Sequence, residues 1–131
     1  MSENAPITRQ QERAQKAYKC ISPRTKDANG QEIKNDKDNE EYNQLAKRFP
    51  ALVHNCGLAQ ALAFVQAKEK DVNIGKAYLS NLSDVMGLKK DEDLGNIIRT
   101  AELRDYQRLT REAIESATWL KRYSEALLEK D

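Results

Sequence analysis

Along most of this chain, large apolar side chains recur at steps of three and four, the spacing of one helix face. Ile7, Ala14, Ala17, Tyr18 and Ile21 make the first such stripe, which predicts a helix ending before Pro23. Its other side carries Arg9, Arg13 and Lys16. The stripe then stops. Residues 24–39, RTKDANGQEIKNDKDN, hold a single large apolar side chain, Ile33. Such a segment cannot bury enough surface to offset the entropy of ordering it, which predicts a mobile loop.

A second helical stripe runs through Tyr42, Leu45, Ala46 and Phe49 and meets Pro50. Proline lacks the N–H and disfavours helix in the residue before it, so the helix kinks there or a new one starts at Pro50. Residues 51–67 are apolar on nearly every side, the mark of a central helix surrounded by others, and Gly57 is the one weak point in it. Ile74, Tyr78, Leu82 and Val85 predict a helix over 71–86, with Gly87 as its stop. Asp91, Glu92 and Asp93 suit the start of a short helix over about 92–100, where carboxylates meet free N–H donors. A last helix, the longest, follows over about 101–129. Its stripe is Leu103, Tyr106, Ala113, Ala117, Leu120 and Leu127, widened by Leu109 and Ile114.

No segment alternates with period two, and no internal repeat occurs. The pattern therefore predicts an all-α fold: one domain over 1–131, a compact bundle of about six helices with a long C-terminal helix. The length suits one domain with one core. Five Gly and three Pro leave long stretches unbroken, as helices require. No apolar run approaches the ~20 residues of a membrane span, and no apolar leader precedes a cleavage site. A cytoplasmic, soluble protein is expected.

The net charge of +1 hides a strong alternation. Residues 1–26 carry +4, 27–43 carry −4, 44–70 carry +3 and 71–131 carry −2. Any basic surface must therefore be assembled in three dimensions.

Candidate chemistry is sparse. His54, Asn55 and Cys56 are residue types found together in thiol hydrolases, but positions i and i+2 of a helix point about 200° apart. A Cys–His pair needs hydrogen-bond reach, and His54 is the only histidine. The stretch 49–68 is read as core, with Cys56 a small apolar residue. Cys20 and Cys56 make neither a disulfide framework nor a zinc spacing. The acidic runs fail as calcium loops: after Asp36 and Asp38 come Glu40 and Glu41, with Lys47 at the closing position. After Asp91, Gly95 falls one place early for Glu102. No enzyme, metal or cofactor is expected.

The basic positions are better ordered. Arg104, Arg108, Arg111 and Arg122 fall near one stripe of the last helix, interrupted by Glu115 and adjoined by Glu112, so salt bridging is the alternative use. Lys47 and Arg48 stand together before Phe49. The eight aromatics fall mostly on apolar stripes, which predicts no base-stacking platform, and Trp119 and Phe64 are expected in the core.

Two longer segments carry a resemblance. YNQLAKRFPALVHNCGLAQALAFVQAK (42–68) joins Leu45-x-x-x-Phe49-Pro50 to Gly57-Leu58 and then to Gln60-Ala61-Leu62-Ala63-Phe64. DYQRLTREAIESATWLKRYSEALL (105–128) contains Trp119-Leu120-Lys121-Arg122-Tyr123. Together, over about 50 of 131 residues, they resemble the small α-helical subunit of the type III-B CRISPR effector, the Cmr complex. The resemblance implies a non-catalytic helical bundle whose copies stack into an inner filament beside the backbone subunits that hold the guide RNA. It also implies contact with the large polymerase-like subunit at one end, and a basic surface along the RNA target paired to the guide. Carried over residue by residue, Lys121 and Arg122 are the first candidates for strand contact. Lys47 and Arg48 come next, then Arg108 and Arg111 on the last helix. Lys16 and Lys19 rest on charge alone. The competing reading is a helical protein–protein adaptor whose charges serve only salt bridges.

Overall fold

In a computed structural model, which describes residues 6–26, 29–31, 37–68, 72–89 and 92–129, every regular element of the described residues is helical. The helices are α1 (Arg9–Ile21), α2 (Lys37–Cys56), α3 (Leu58–Lys68), α4 (Val72–Met86), α5 (Leu94–Thr100) and α6 (Leu103–Leu127). A short 3-10 turn, Ser22–Thr25, follows α1 and carries Pro23 at its start. None of these helices is long and apolar enough to cross a membrane.

Each helix begins and ends where its local chemistry allows. Thr8 caps α1: its hydroxyl accepts from the Gln11 N–H at 3.0 Å, while the Thr8 N–H donates to Gln11 Oε1 at 2.8 Å. Ile7, expected on the helix stripe, therefore lies before the helix and is exposed. The segment expected as a loop is shorter than 24–39, because α2 already begins at Lys37. Asn39 is buried there, its amide donating to the Arg24 carbonyl at 2.7 Å and its oxygen accepting from Arg24 Nε at 3.2 Å. Positions 27–28 and 32–36, which the sequence pattern assigned to that segment, lie outside the described residues.

Pro50 neither ends α2 nor starts a helix. It sits inside α2, and the chain breaks instead at Gly57, where φ is 86°. The Gly57 N–H closes α2 on the Val53 carbonyl at 2.9 Å, and the Gly57 carbonyl accepts from Ala61 at 3.0 Å to open α3. One residue thus ends one helix and begins the next, in a left-handed conformation that side chains with a Cβ resist. This corrects the single central helix over 51–67. Ala51, His54, Asn55 and Cys56 are exposed at the end of α2, so Cys56 is not core. A Cβ at Gly57 would meet nothing closer than Tyr106 Oη at 3.5 Å, so space is not the obstacle. Gly57→Ala is expected to cost about 1–2 kcal/mol through backbone strain alone, read as a melting point lower by roughly 4 °C or more. An unchanged melting point would mean the turn tolerates a Cβ.

The core gathers Ala17 and Ile21 of α1, Tyr42, Leu45, Phe49 and Val53 of α2, and Leu58, Leu62 and Val65 of α3. Ile74, Tyr78, Leu82 and Val85 of α4 join them, with Leu109, Ala113, Ala117 and Leu120 of α6. Tyr78 meets Phe49 at 5.2 Å and Tyr42 at 5.7 Å between ring centroids. Asn81 donates to Tyr42 Oη at 2.6 Å.

Helix α6 organises the bundle. It runs parallel to α1, since Arg9 meets Glu112 near one end and Tyr18 meets Tyr123 further along. It runs antiparallel to α2: Ser124 donates to Asn43 in a buried bond of 2.8 Å, and Tyr106 Oη accepts from the Ala59 N–H at 3.1 Å, just past α2. The expected apolar stripe of α6 fails at its ends, where Leu103 and Leu127 are exposed.

Candidate nucleic-acid interface

At about 100° per residue, Leu109, Ala113, Ala117, Leu120 and Ser124 share the buried side of α6, and Arg104, Arg111 and Arg122 share the side opposite. All three arginines are exposed. Among the described residues, none of the three has an ion-pair partner. Glu115 lies between them but is drawn toward α1, where it pairs with Arg13. The stripe is therefore a line of cations held by a rigid helix against solvent, with Arg122 lying over the Trp119 ring at 5.3 Å.

The other expected contacts divide. Arg108 flanks the stripe but is held by Glu112 at 3.0 Å and lies 4.0 Å from Asp105. Glu112 also accepts from Arg9 at 3.1 Å, so it neutralises two guanidinium groups. Lys121 does not share a side with Arg122. One residue apart on a helix, the two diverge, and Lys121 is half-buried on the flank of α6. Lys47 donates to Glu129 at 2.6 Å, a hydrogen bond that, with the charge of Glu129, raises the lysine above its ordinary pKa. Arg48 points elsewhere, lying over the Phe64 ring at 5.5 Å. Lys16 approaches Glu12 at 3.8 Å, while Lys19 is exposed and has no ion-pair partner among the described residues.

Helical spacing puts Arg13 on an exposed basic face, but the structure buries it against α6. Lys89, which its sequence surroundings do not single out, joins Lys16 and Lys19 around a shallow groove between α1 and α4 of about 700 Å³. The signal for it is the stop at Gly87, since a turn returning the chain beside α1 must bring Lys89 with it. Trp119 and Phe64 are half-buried rather than central. Trp119 lies in the seam between α1 and α6, where its Nε1–H donates to Gln10 Oε1 at 2.6 Å. Cys20 is half-buried beside Asp84, and burial with that charge pushes its thiol up to about 11, away from reactivity.

The model of the family CRISPR-associated protein (Cas_Cmr5) matches residues 9–127. That span runs from the first residue of α1 to the last of α6. The CRISPR system Cmr subunit Cmr5 of Thermus thermophilus is 38% identical over 123 residues, covering 94% of this chain and 98% of that protein. An X-ray structure of a CRISPR-associated Cmr5 family protein, also from Thermus thermophilus, matches with a TM-score of 0.78 at 37% identity, over 95% of this chain and 100% of the other. Sequence and bundle agree across the same helices, and the chain belongs to the CRISPR-associated Cas_Cmr5 family.

Proposed function

We propose that this chain, acting as one domain, is the non-catalytic small subunit of a type III-B Cmr effector complex. Several copies stack as an inner filament, meeting the backbone subunits and, at one end, the large polymerase-like subunit. The basic surface holds the RNA target by its phosphates while pairing with the guide reads the sequence. The observation that carries this reading is the exposed stripe of Arg104, Arg111 and Arg122, whose charges no acid on the described surface takes up. Arg122 is its anchor. Lys121, Lys47 and Arg48 lie on the flanks, where they serve either the strand or a neighbouring copy. Lys19, with Lys16, forms a second basic edge on α1.

Head-to-tail stacking needs two different surfaces on one subunit. The acidic first turn of α2, where Glu40 is exposed, is suited to meet a basic surface of the next copy. His54 and Cys56 stand exposed at the other end of α2 and diverge from one another, which favours a non-catalytic role.

Membership is tested by tagged purification with sizing and sequencing of any co-purifying RNA. Short RNAs with a repeat-derived end, together with several larger proteins, are expected. Strand contact is tested in the assembled complex with Arg111→Glu and Arg122→Glu combined. Target retention is expected to fall about tenfold or more, and the salt slope by roughly two. Retention equal to wild type across a salt range would remove the stripe as the contact. The adaptor reading draws on the ion pairs of Lys47, Arg108 and Lys16, and that result would favour it.

A further inference from the structure

Tyr18 breaks the pattern of its helix. Its neighbours Ala17 and Ile21 are fully buried, yet this large ring is 48% exposed. It is held in place nonetheless. Tyr18 packs against Tyr123 at 5.5 Å with an interplanar angle of 77°, and Tyr123 stacks on Trp119 at 5.9 Å and 25°. Trp119 is fixed in turn by its bond to Gln10 and covered by Arg122. Three rings thus line the seam between α1 and α6, closed at the Trp119 end by a guanidinium and open at Tyr18. Beside the open ring lies a hollow of about 340 Å³ formed with Lys19, Ser22, Pro23 and Lys26.

Three exposed cations border this ledge. Lys19, Lys26 and Arg122 are exposed and have no ion-pair partner among the described residues. The acids along the α1–α6 seam are occupied, Glu112 by Arg9 and Arg108, Glu115 by Arg13, and Glu12 by Lys16, while exposed Asp84 lines the neighbouring groove with Lys16, Lys19 and Lys89. A rigid aromatic face edged by free cations offers what a nucleotide needs, a surface for its base and counter-charge for its phosphate. An apolar protein side chain would use the ring but leave the lysines without a purpose.

We propose that the Tyr18 ledge is a stacking site for one unpaired base of an RNA strand. Lys19 and Lys26 meet the flanking phosphates, and Tyr123 and Trp119 hold the platform rigid from behind. Arg122 belongs to both this site and the α6 stripe, so a strand following the stripe arrives at the ledge. The inference rests on the RNA-binding reading above and adds to it a contact with a base rather than with the backbone.

The chain has one tryptophan, Trp119, a single ring away from Tyr18. Its fluorescence reports occupancy directly. The full chain would be titrated with an unstructured RNA of about ten nucleotides, with an abasic strand of equal charge, and with a fully paired duplex. The base-bearing strand is expected to change the fluorescence and to bind at least tenfold more tightly than the abasic one. Tyr18→Ala should lose about tenfold in affinity, and Tyr18→Phe should lose none, since stacking needs no hydroxyl. Equal binding of the abasic strand, wild-type affinity in Tyr18→Ala, or no RNA binding by the chain at millimolar strand would each overturn the site. If Tyr18→Ala spares RNA binding but prevents co-purification with the larger proteins, the ledge is a protein contact and the proposal fails. In each of these cases the arginine stripe, tested separately in the assembled complex, stands or falls on its own result.

Discussion

Phe49→Ala is expected to destabilise the fold by about 3–5 kcal/mol, the range for losing a large buried ring. That is a large share of the roughly 5–15 kcal/mol that hold a typical domain together. Phe49 is fully buried, packs on Tyr78 at 5.2 Å and precedes Pro50 within α2. Its neighbours are poorly placed to fill the space. Tyr78 is fixed between two rings, and the backbone beside Phe49 has its φ set by the next residue's ring. Urea unfolding should show a lower midpoint with an unchanged slope. A loss below about 1 kcal/mol would mean that the cavity collapses freely and that the core is looser than its rings suggest.

A second large effect appears in base. Tyr42 and Tyr78 are buried in the fold, and burial is the main cause that raises both phenols well above the ordinary value of 10.0. Asn81 and Arg24 draw Tyr42 partly back, whereas Tyr42 pushes Tyr78 further up. The unfolded chain releases these protons near pH 10 while the folded chain keeps them. The contribution of the two phenols is therefore whole below pH 10 and falls as pH rises above it, by about 1.4 kcal/mol per unit for each. Two phenols give about 2.7 kcal/mol per unit. The Cys20 thiol, raised from 9.0 to about 11, adds a smaller decline beginning near pH 9. Denaturation at pH 8, 10 and 11, followed alongside tyrosinate absorbance, checks this. Tyr78→Phe should take about 1.4 kcal/mol per unit off the slope above pH 10, and it should raise stability at neutral pH because the Tyr78 hydroxyl is buried without a partner among the described residues. Flat stability from pH 9 to 11 would contradict the burial of both rings.

Much of the bundle was legible because helices advertise themselves through a repeat every three to four residues. The end of α1 at Ile21, the run of α4 to Met86 and the length of α6 all follow from it. Gly57 showed only as a weak point and not as the break itself, because Pro50 carries the louder local signal and the reach of Tyr106 to α3 is a tertiary fact. Asn39 reads as loop for the same reason, since its partner Arg24 sits across the segment the sequence leaves featureless. The candidate site was legible as a set of charges but not as a surface. Whether an arginine is free depends on acids far away in sequence: Arg9 and Arg13 find theirs 103 and 102 positions later. The aromatic seam was hidden in the same way, because Tyr18 and Trp119 come from opposite ends of the chain and neither stripe alone shows the ledge.

The docking of α1 on α6 also sets a schedule for synthesis. The first helix to leave the ribosome must wait for the last before Ala17 and Ile21 can be covered, because α6 supplies much of the wall against which they pack. Long-range closure of this kind slows folding and leaves apolar surface open in the interval. A chain that stops short of α6 lacks the partner for α1 and the anchor for Asn43, and proteases should find it an easy substrate. Such a chain would also lack the arginine face of α6, so under the function proposed above it could not hold a strand through that stripe.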